Sequence, residues 1–175
     1  MELNQGIALI DNPALRSAHT TTWADLGCGD GFFTKALSSL LFEGSTIYAV
    51  DNNASALKRV AVPSSIILKK KHLDFSKDEL LFGKIDGIIM ANSIHYVKQQ
   101  ETFLKKIKQH ILDDGILLIV DYDTDKGNPW VPYPVSYKSL EKLCHASGFS
   151  SVEKINQMPS AFGRSNMYSA IINDK

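Results

Sequence analysis

Two cysteines in 175 residues, Cys28 and Cys144, sit in dissimilar contexts with no metal-ligand spacing. They exclude a disulfide framework or a thiolate metal cage, and both are expected as reduced thiols. Long apolar runs are missing as well: stretches such as Ile116 to Val120 fall far short of a bilayer, and the opening MELNQG lacks the basic-then-apolar pattern of a signal peptide. No membrane association and a cytoplasmic location are therefore expected. Nor does one sign of charge dominate. Lys and Arg number 19, as do Asp and Glu, so the net charge gives no attraction to nucleic acid. Repeats, low-complexity segments and composition breaks are absent too, which argues against a solenoid or an array.

What is present reads as an ordinary globular chain, 44% apolar and 22% charged. Its length suits a single domain over residues 1–175, with residues 1–22 as a short N-terminal cap segment. Strand-like and helix-like runs alternate, the mark of a parallel sheet covered on both faces. Seven strands are expected: Thr22 to Leu26, Thr46 to Asp51, Ser65 to Leu68, Ile85 to Ala91, Ile116 to Tyr122, Val152 to Asn156 and Tyr168 to Ile172. Helical spacing links Phe32, Phe33, Ala36, Leu37, Leu40 and Leu41, and again Phe103, Leu104, Ile107 and Ile111 within Gln99 to Leu112. A third helix is expected from Tyr137 to Ser147, with Ser136 as N-cap and Gly148 ending it. No helix fits between the last two strands, so they should form an antiparallel hairpin.

The strongest local signal is Asp25-Leu26-Gly27-Cys28-Gly29-Asp30-Gly31, which follows a strand and opens the first amphipathic helix. Its glycines permit positive φ and leave room for a ligand to approach the backbone. The spacing is G-x-G-x-G. A dinucleotide fingerprint, G-x-G-x-x-G, would put its third glycine where Phe32 stands, which disfavours a nicotinamide oxidoreductase. Asp51 ends the second strand, where a carboxylate can accept hydrogen bonds from both hydroxyls of a ribose. Asp74-Phe75 follows the third strand and Asn92-Ser93-Ile94-His95-Tyr96 the fourth.

In this order, DLGCGDG, AVDNN, LDF and ANSIHYV resemble the successive motifs of the class I S-adenosylmethionine (AdoMet)-dependent methyltransferases, over nearly the whole chain. The resemblance implies an α/β, doubly wound, mostly parallel seven-stranded sheet in the order 3-2-1-4-5-7-6 with strand 7 antiparallel, in agreement with the hairpin. It implies S-adenosyl-L-methionine as cofactor. Asp25, Gly27 and Gly29, with Cys28 and Gly31 in the same loop, would line its methionine part. Asp51 would hold the ribose, Asp74 and Phe75 the adenine, and Asn92 and Ser93 would border the methionine near the transferring methyl. Where the family has an apolar residue after the ribose acid, this chain has Asn52, so adenine packing is expected from Phe75 and Ile94.

His95 and Tyr96 lie beyond a strand end where an imidazole could take a proton from a nucleophile, and they are the candidate catalytic residues; packing or adenine contact is the alternative. Candidate substrate residues are Asp121, Trp130, Tyr133 and, from the hairpin loop, Arg164. The segment Trp130 to Tyr137, stiff with aromatics and prolines, reads as a substrate wall or as plain packing. Asp121-Tyr122-Asp123-Thr124-Asp125 fails as a calcium loop, with Lys126 where glycine and Pro132 where glutamate should stand, so no metal is expected. Asp121 is expected to face the cleft, with Asp123 and Asp125 solvated. Lys69, Lys70 and Lys71 read as protection of a sheet edge. A DNA amino-methyltransferase would carry (N/D)-P-P-(Y/F) where this chain has Asn92-Ser93-Ile94-His95. A small organic methyl acceptor is therefore the leading expectation; an RNA or protein acceptor, or AdoMet binding without transfer, remain alternatives. Leu3, Ile7 and Ile10 suggest a helix within the first eleven residues, either a lid over the cofactor or an ordinary docking helix.

Overall fold

The computed structural model describes residues 1–80, 82–160 and 165–175. Seven strands, β1 (Thr22–Leu26), β2 (Thr46–Asp51), β3 (Ile67–His72), β4 (Ile85–Ala91), β5 (Ile111–Tyr122), β6 (Ser151–Pro159) and β7 (Asn166–Asn173), form one sheet in the order β3-β2-β1-β4-β5-β7-β6. Every pair from β3 to β5 is parallel, and β7 runs antiparallel to both β5 and β6. Five helices accompany the strands: α1 (Leu3–Ile10), α2 (Phe32–Ser38), α3 (Ala54–Arg59), α4 (Gln100–Lys108) and α5 (Tyr137–Ala146).

Burial on both faces explains why the central strands read as unbroken apolar runs. Alternate residues divide between two layers. Ile88 and Met90 of β4, Leu117 and Ile119 of β5, and Tyr168, Ala170 and Ile172 of β7 pack with α4 and α5. Ile89 and Ala91, Leu118 and Val120, and Met167 and Ile171 pack with α1 and α2. The period of two along each strand feeds both layers at once. No helix among the described residues is long and apolar enough to cross a membrane.

Several features differ from the sequence reading. β3 begins later and takes in the whole lysine run, because an edge strand exposes its side chains and needs no apolar pattern. Helix α4 stops at Lys108, and Ile111 meets its burial requirement by pairing with Ile85, after which the ladder shifts register before Gly87. Helix α3 carried too little periodicity to be read, being six residues long. Asp125 is exposed, as expected, and Asp123 is half-buried, but both also have a structural task. Asp123 accepts the Tyr137 amide (2.9 Å), and Asp125 accepts the Ser136 amide (2.8 Å) and the Ser136 and Ser139 hydroxyls, so both acids secure the start of α5.

Helix α1 is docked rather than loose. Leu9 and Ile10 are fully buried, the Ser169 hydroxyl donates to the Leu9 carbonyl, and the Asn156 side-chain amide donates to the Ala8 carbonyl (3.0 Å). Deletion of residues 1–11 would therefore open the core. A second tight fit lies between β1 and β4, where Trp23 and Gly87 are register partners and a Cβ on Gly87 would stand 2.3 Å from the indole. Gly87→Ala should destabilise the fold by about 1–3 kcal/mol through overpacking, read as a lowered Tm; an unchanged Tm would show that the indole has room to shift.

Candidate functional site

The carboxyl ends of the parallel strands open into a cleft of about 1440 Å³, roomier than the roughly 300–1,000 Å³ usual for one drug-sized ligand. The glycine loop leaves β1 at its rim. Gly27 and Cys28 amides both donate to the Val50 carbonyl (2.8 and 3.0 Å), which ties the loop to β2. Gly27 is a close-packed position: a Cβ there would fall 2.6 Å from Ser93 Cβ and 3.0 Å from the Phe75 ring. Gly29, at φ +56°, differs, since a Cβ on it would meet nothing within 4 Å. That open space belongs to the cleft. Gly31 does not border it and packs against Val60 instead.

Asp51 organises this end. One carboxylate oxygen accepts the Gly29 amide and the other the Asn53 amide, each at 2.7 Å. A carboxylate has about four lone-pair sites, so each oxygen keeps capacity for a further donor. Asn53 in turn caps α3, which makes Asp51 the link between two turns that both face the cleft. Asn52 borders the cleft as well, and its carbonyl contacts the His72 ring nitrogen at 2.9 Å.

Beneath the loop, Asp25 is buried and accepts the Thr34 hydroxyl at 2.6 Å through one oxygen. The other oxygen, Oδ1, is buried without a partner. Burial pushes this carboxyl up to about 7, the Thr34 hydrogen bond opposes the rise, and the Asp51 charge adds to it. Asn92, at φ +53°, directs its amide nitrogen to the Val120 carbonyl, and its side-chain Oδ1 is likewise buried and unpartnered. These two are the buried side-chain polar atoms without a partner among the described residues, and both residues line the cleft.

Two walls complete the end near β3. Asp74 accepts the Ser76 amide and hydroxyl (3.0 and 2.6 Å) and pairs with Lys77 (2.9 Å), and the Ser76 hydroxyl chiefly holds its carboxyl below the ordinary value. Phe75 is buried against Phe103 and presents its ring to the cleft. Ser93 spends its hydroxyl on the Leu26 carbonyl (2.6 Å), joining the ends of β4 and β1. The Cys28 thiol is pushed far up by burial and by Asp25, so it stays protonated.

On the acceptor candidates the structure corrects the sequence reading. Asp121 is 0% exposed and does not face the cleft: both its oxygens contact His95 Nδ1, at 2.8 and 3.0 Å, and His95 is itself 2% exposed. The β4–β5 register brings them together. Tyr96 does border the cleft, with its ring 4.4 Å from that of His95. Ile94 is fully buried and does not border the cleft, so of the two residues expected beside an adenine only Phe75 lines it. Trp130 is 78% exposed and Tyr133 39% exposed, and neither borders the cleft; the turn that carries Trp130 is closed by Asn128 and Val131 instead. Arg164 lies outside the described residues. Gln5, Phe32, Tyr122, Met158 and Met167, none of them a site candidate in the sequence, also line the cleft. For Gln5 the helical spacing of α1 was the available signal, whereas the other positions are set by strand register and by the start of α2.

With this geometry established, comparison with known proteins is specific. A family model described as "Methyltransferase domain" matches residues 24–117. A ubiquinone biosynthesis O-methyltransferase of Rickettsia canadensis is 28% identical over 96 residues, 54% of this chain but 40% of that enzyme, so the chain matches less than half of its relative's length. Among solved structures, the YcgJ protein of Bacillus subtilis aligns over 99% of this chain and 98% of its own, with a TM-score of 0.67 at 11% identity. A Burkholderia thailandensis 1,6-didemethyltoxoflavin-N1-methyltransferase, solved with its acceptor and S-adenosylhomocysteine, aligns over 98% and 78% with a TM-score of 0.70 at 19% identity. At such identities the likeness establishes the shared fold.

Proposed function

The chain belongs to the methyltransferase-domain family, and from that membership we propose that it is an AdoMet-dependent methyltransferase acting on a small organic acceptor. The observation that carries the cofactor assignment is the pair of orphaned acceptors, Asp25 Oδ1 and Asn92 Oδ1, in a cleft that also holds Asp51 and Asp74. Buried acceptors without donors are costly unless a ligand supplies the donors. A ligand with an ammonium group, a sulfonium charge and a ribose diol does so. Asp51 has free lone pairs for the diol, Phe75 offers a face to the adenine, and the space above Gly29 admits the chain between them.

Bound there, the sulfonium supplies a methyl group electrophilic enough that transfer depends mainly on alignment and exclusion of water. The protein's part is to hold and orient. His95, clamped by Asp121, fixes the turn that carries Tyr96 and does not itself reach the acceptor. Two relatives support a small acceptor: the Rickettsia enzyme is named for ubiquinone biosynthesis and the Burkholderia enzyme for didemethyltoxoflavin. Calorimetry with AdoMet, S-adenosylhomocysteine and NAD tests the reading. The first two should saturate the protein and NAD should not; saturation by NAD alone would overturn it.

Asp25 makes the cofactor's affinity depend on pH. A ligand ammonium beside Asp25 favours its charged form, so binding should tighten as pH rises toward about 7 and level off above it. For the free protein the sign is opposite. The folded state keeps a proton that the unfolded chain releases above 3.8, so this carboxyl's contribution to stability falls as pH rises from there to about 7 and is level beyond. Asp25→Asn should remove both dependences. Parallel pH profiles of S-adenosylhomocysteine affinity and of Tm in the variant and the parent would place the titration elsewhere.

A further inference from the structure

The cleft continues past the cofactor-side residues toward the β5–β7–β6 part of the sheet. Tyr122 pairs across the ladder with Met167, and Met167 pairs with Met158. Directly opposed residues share a face, so these three side chains form one row across three strands, in the layer covered by α1 and α2. Phe32, edge-on to Phe33 at 5.1 Å, packs on the same layer. Its ring is held by α1, because Gly6 leaves room for it: a Cβ there would stand 2.6 Å from Phe32 Cε1. Tyr96 stands beside the row, linked through the His95 ring, which is 4.4 Å from Tyr96 and 6.2 Å from Tyr122. All five side chains border the cleft.

The charge of the cleft is one-sided. Among the described lining residues, its acidic side chains are Asp25, Asp30, Asp51 and Asp74 and its basic side chain is Lys77, all on the glycine loop or at β1, β2 and the turn after β3; Met1, just ahead of α1, borders it as well. No acidic or basic side chain among them borders it from β5, β7 or β6. Burial and the neighbouring Asp121 carboxylate raise the Tyr122 phenol above its ordinary value, which keeps it a neutral hydroxyl. We infer that the row Tyr122–Met167–Met158, with Phe32 and Tyr96, is the acceptor subsite and that it takes a flat, uncharged aromatic ring. The inference rests on the methyl-transfer reading above. Aromatic rings pack against such a ring in offset or edge-to-face contact, thioethers fit its edge without demanding one shape, and the tyrosine hydroxyls can meet its polar substituent. A charged acceptor would give up its hydration here with no opposite charge on any of these five side chains to replace it.

The test uses protein saturated with S-adenosylhomocysteine, titrated calorimetrically with naphthol, with its carboxylated analogue hydroxynaphthoate, and with cyclohexanol. Naphthol should saturate, hydroxynaphthoate should bind at least about tenfold more weakly, and cyclohexanol should not saturate over the same range. Met158→Asp, a half-buried position on the sheet-edge strand β6, should retain affinity for S-adenosylhomocysteine and lose about tenfold or more in naphthol affinity. Tyr96→Ala, at an exposed position, gives a second reading of the same loss should the aspartate impair folding. Naphthol that fails to bind the loaded protein, binds it no better than hydroxynaphthoate, or binds both variants as well as the parent overturns the subsite. Failure of S-adenosylhomocysteine itself to bind would instead remove the methyl-transfer reading on which the subsite depends.

Discussion

Gly29→Val is expected to abolish cofactor binding while leaving the protein folded. The residue stands at φ +56° with open space where a Cβ would project, so the main cost to the fold is backbone strain, of the order of 1–3 kcal/mol. The cost to the ligand is far larger. The isopropyl group would occupy the cleft above the loop, and any relaxation of φ would turn the amide away from its 2.7 Å hydrogen bond to Asp51. A loss of at least about 100-fold in S-adenosylhomocysteine affinity follows, equivalent to about 2.7 kcal/mol, measured by calorimetry beside a thermal melt. Gly27→Ala is the instructive contrast, since its side chain would strike Ser93 and Phe75 and should impair the fold itself. Retained affinity in Gly29→Val would reduce the loop to a tight turn.

The second large effect is expected from Asp51→Ala. Its carboxylate satisfies the Gly29 and Asn53 amides as well as offering lone pairs to a diol, so alanine removes charge-assisted ligand bonds and frees the loop from α3 together. Hydrogen bonds to a charged group contribute roughly 1.5–3 kcal/mol each, and binding should weaken by about two orders of magnitude. Asp51→Asn should rescue little, because one of the two amide donors would then face the side-chain NH₂ group, itself a donor. Full rescue by asparagine, with an unchanged melt, would mean that the charge has no part in binding.

The strands, the glycine loop and Asp51 were readable because each depends on nearby sequence: a buried run, a spacing, an acid at a strand end. The hairpin followed from the missing helix between the last two strands, while the full strand order came from family resemblance. What escaped depends on register. Asp121 has the sequence of a cleft-facing strand end, yet its pairing with His95 exists only because β4 and β5 are adjacent. The row of Tyr122, Met167 and Met158 is dispersed in the chain and is aligned by two antiparallel ladders. Trp130 drew notice by composition, but aromatic content alone does not say which way a turn points, and this one points outward.

The bonds from Ser169 and Asn156 to the backbone of α1 join positions 160 and 148 residues apart, and this sets an order for assembly of the chain. On a ribosome, where N-terminal segments emerge first, α1 can pack on α2 early, but its contacts with β6 and β7 wait until that later hairpin has been made. Closing so long a loop carries an entropic cost that is met only when the hairpin docks. The part of the cleft lined by Asp25, Asp51 and Asp74 can thus form on a nascent chain before Met158 and Met167 have been made. A ligand at Asp51 would then find a partly built protein to hold, and S-adenosylhomocysteine added during refolding should protect β1 and β2 amides from exchange earlier than those of α1.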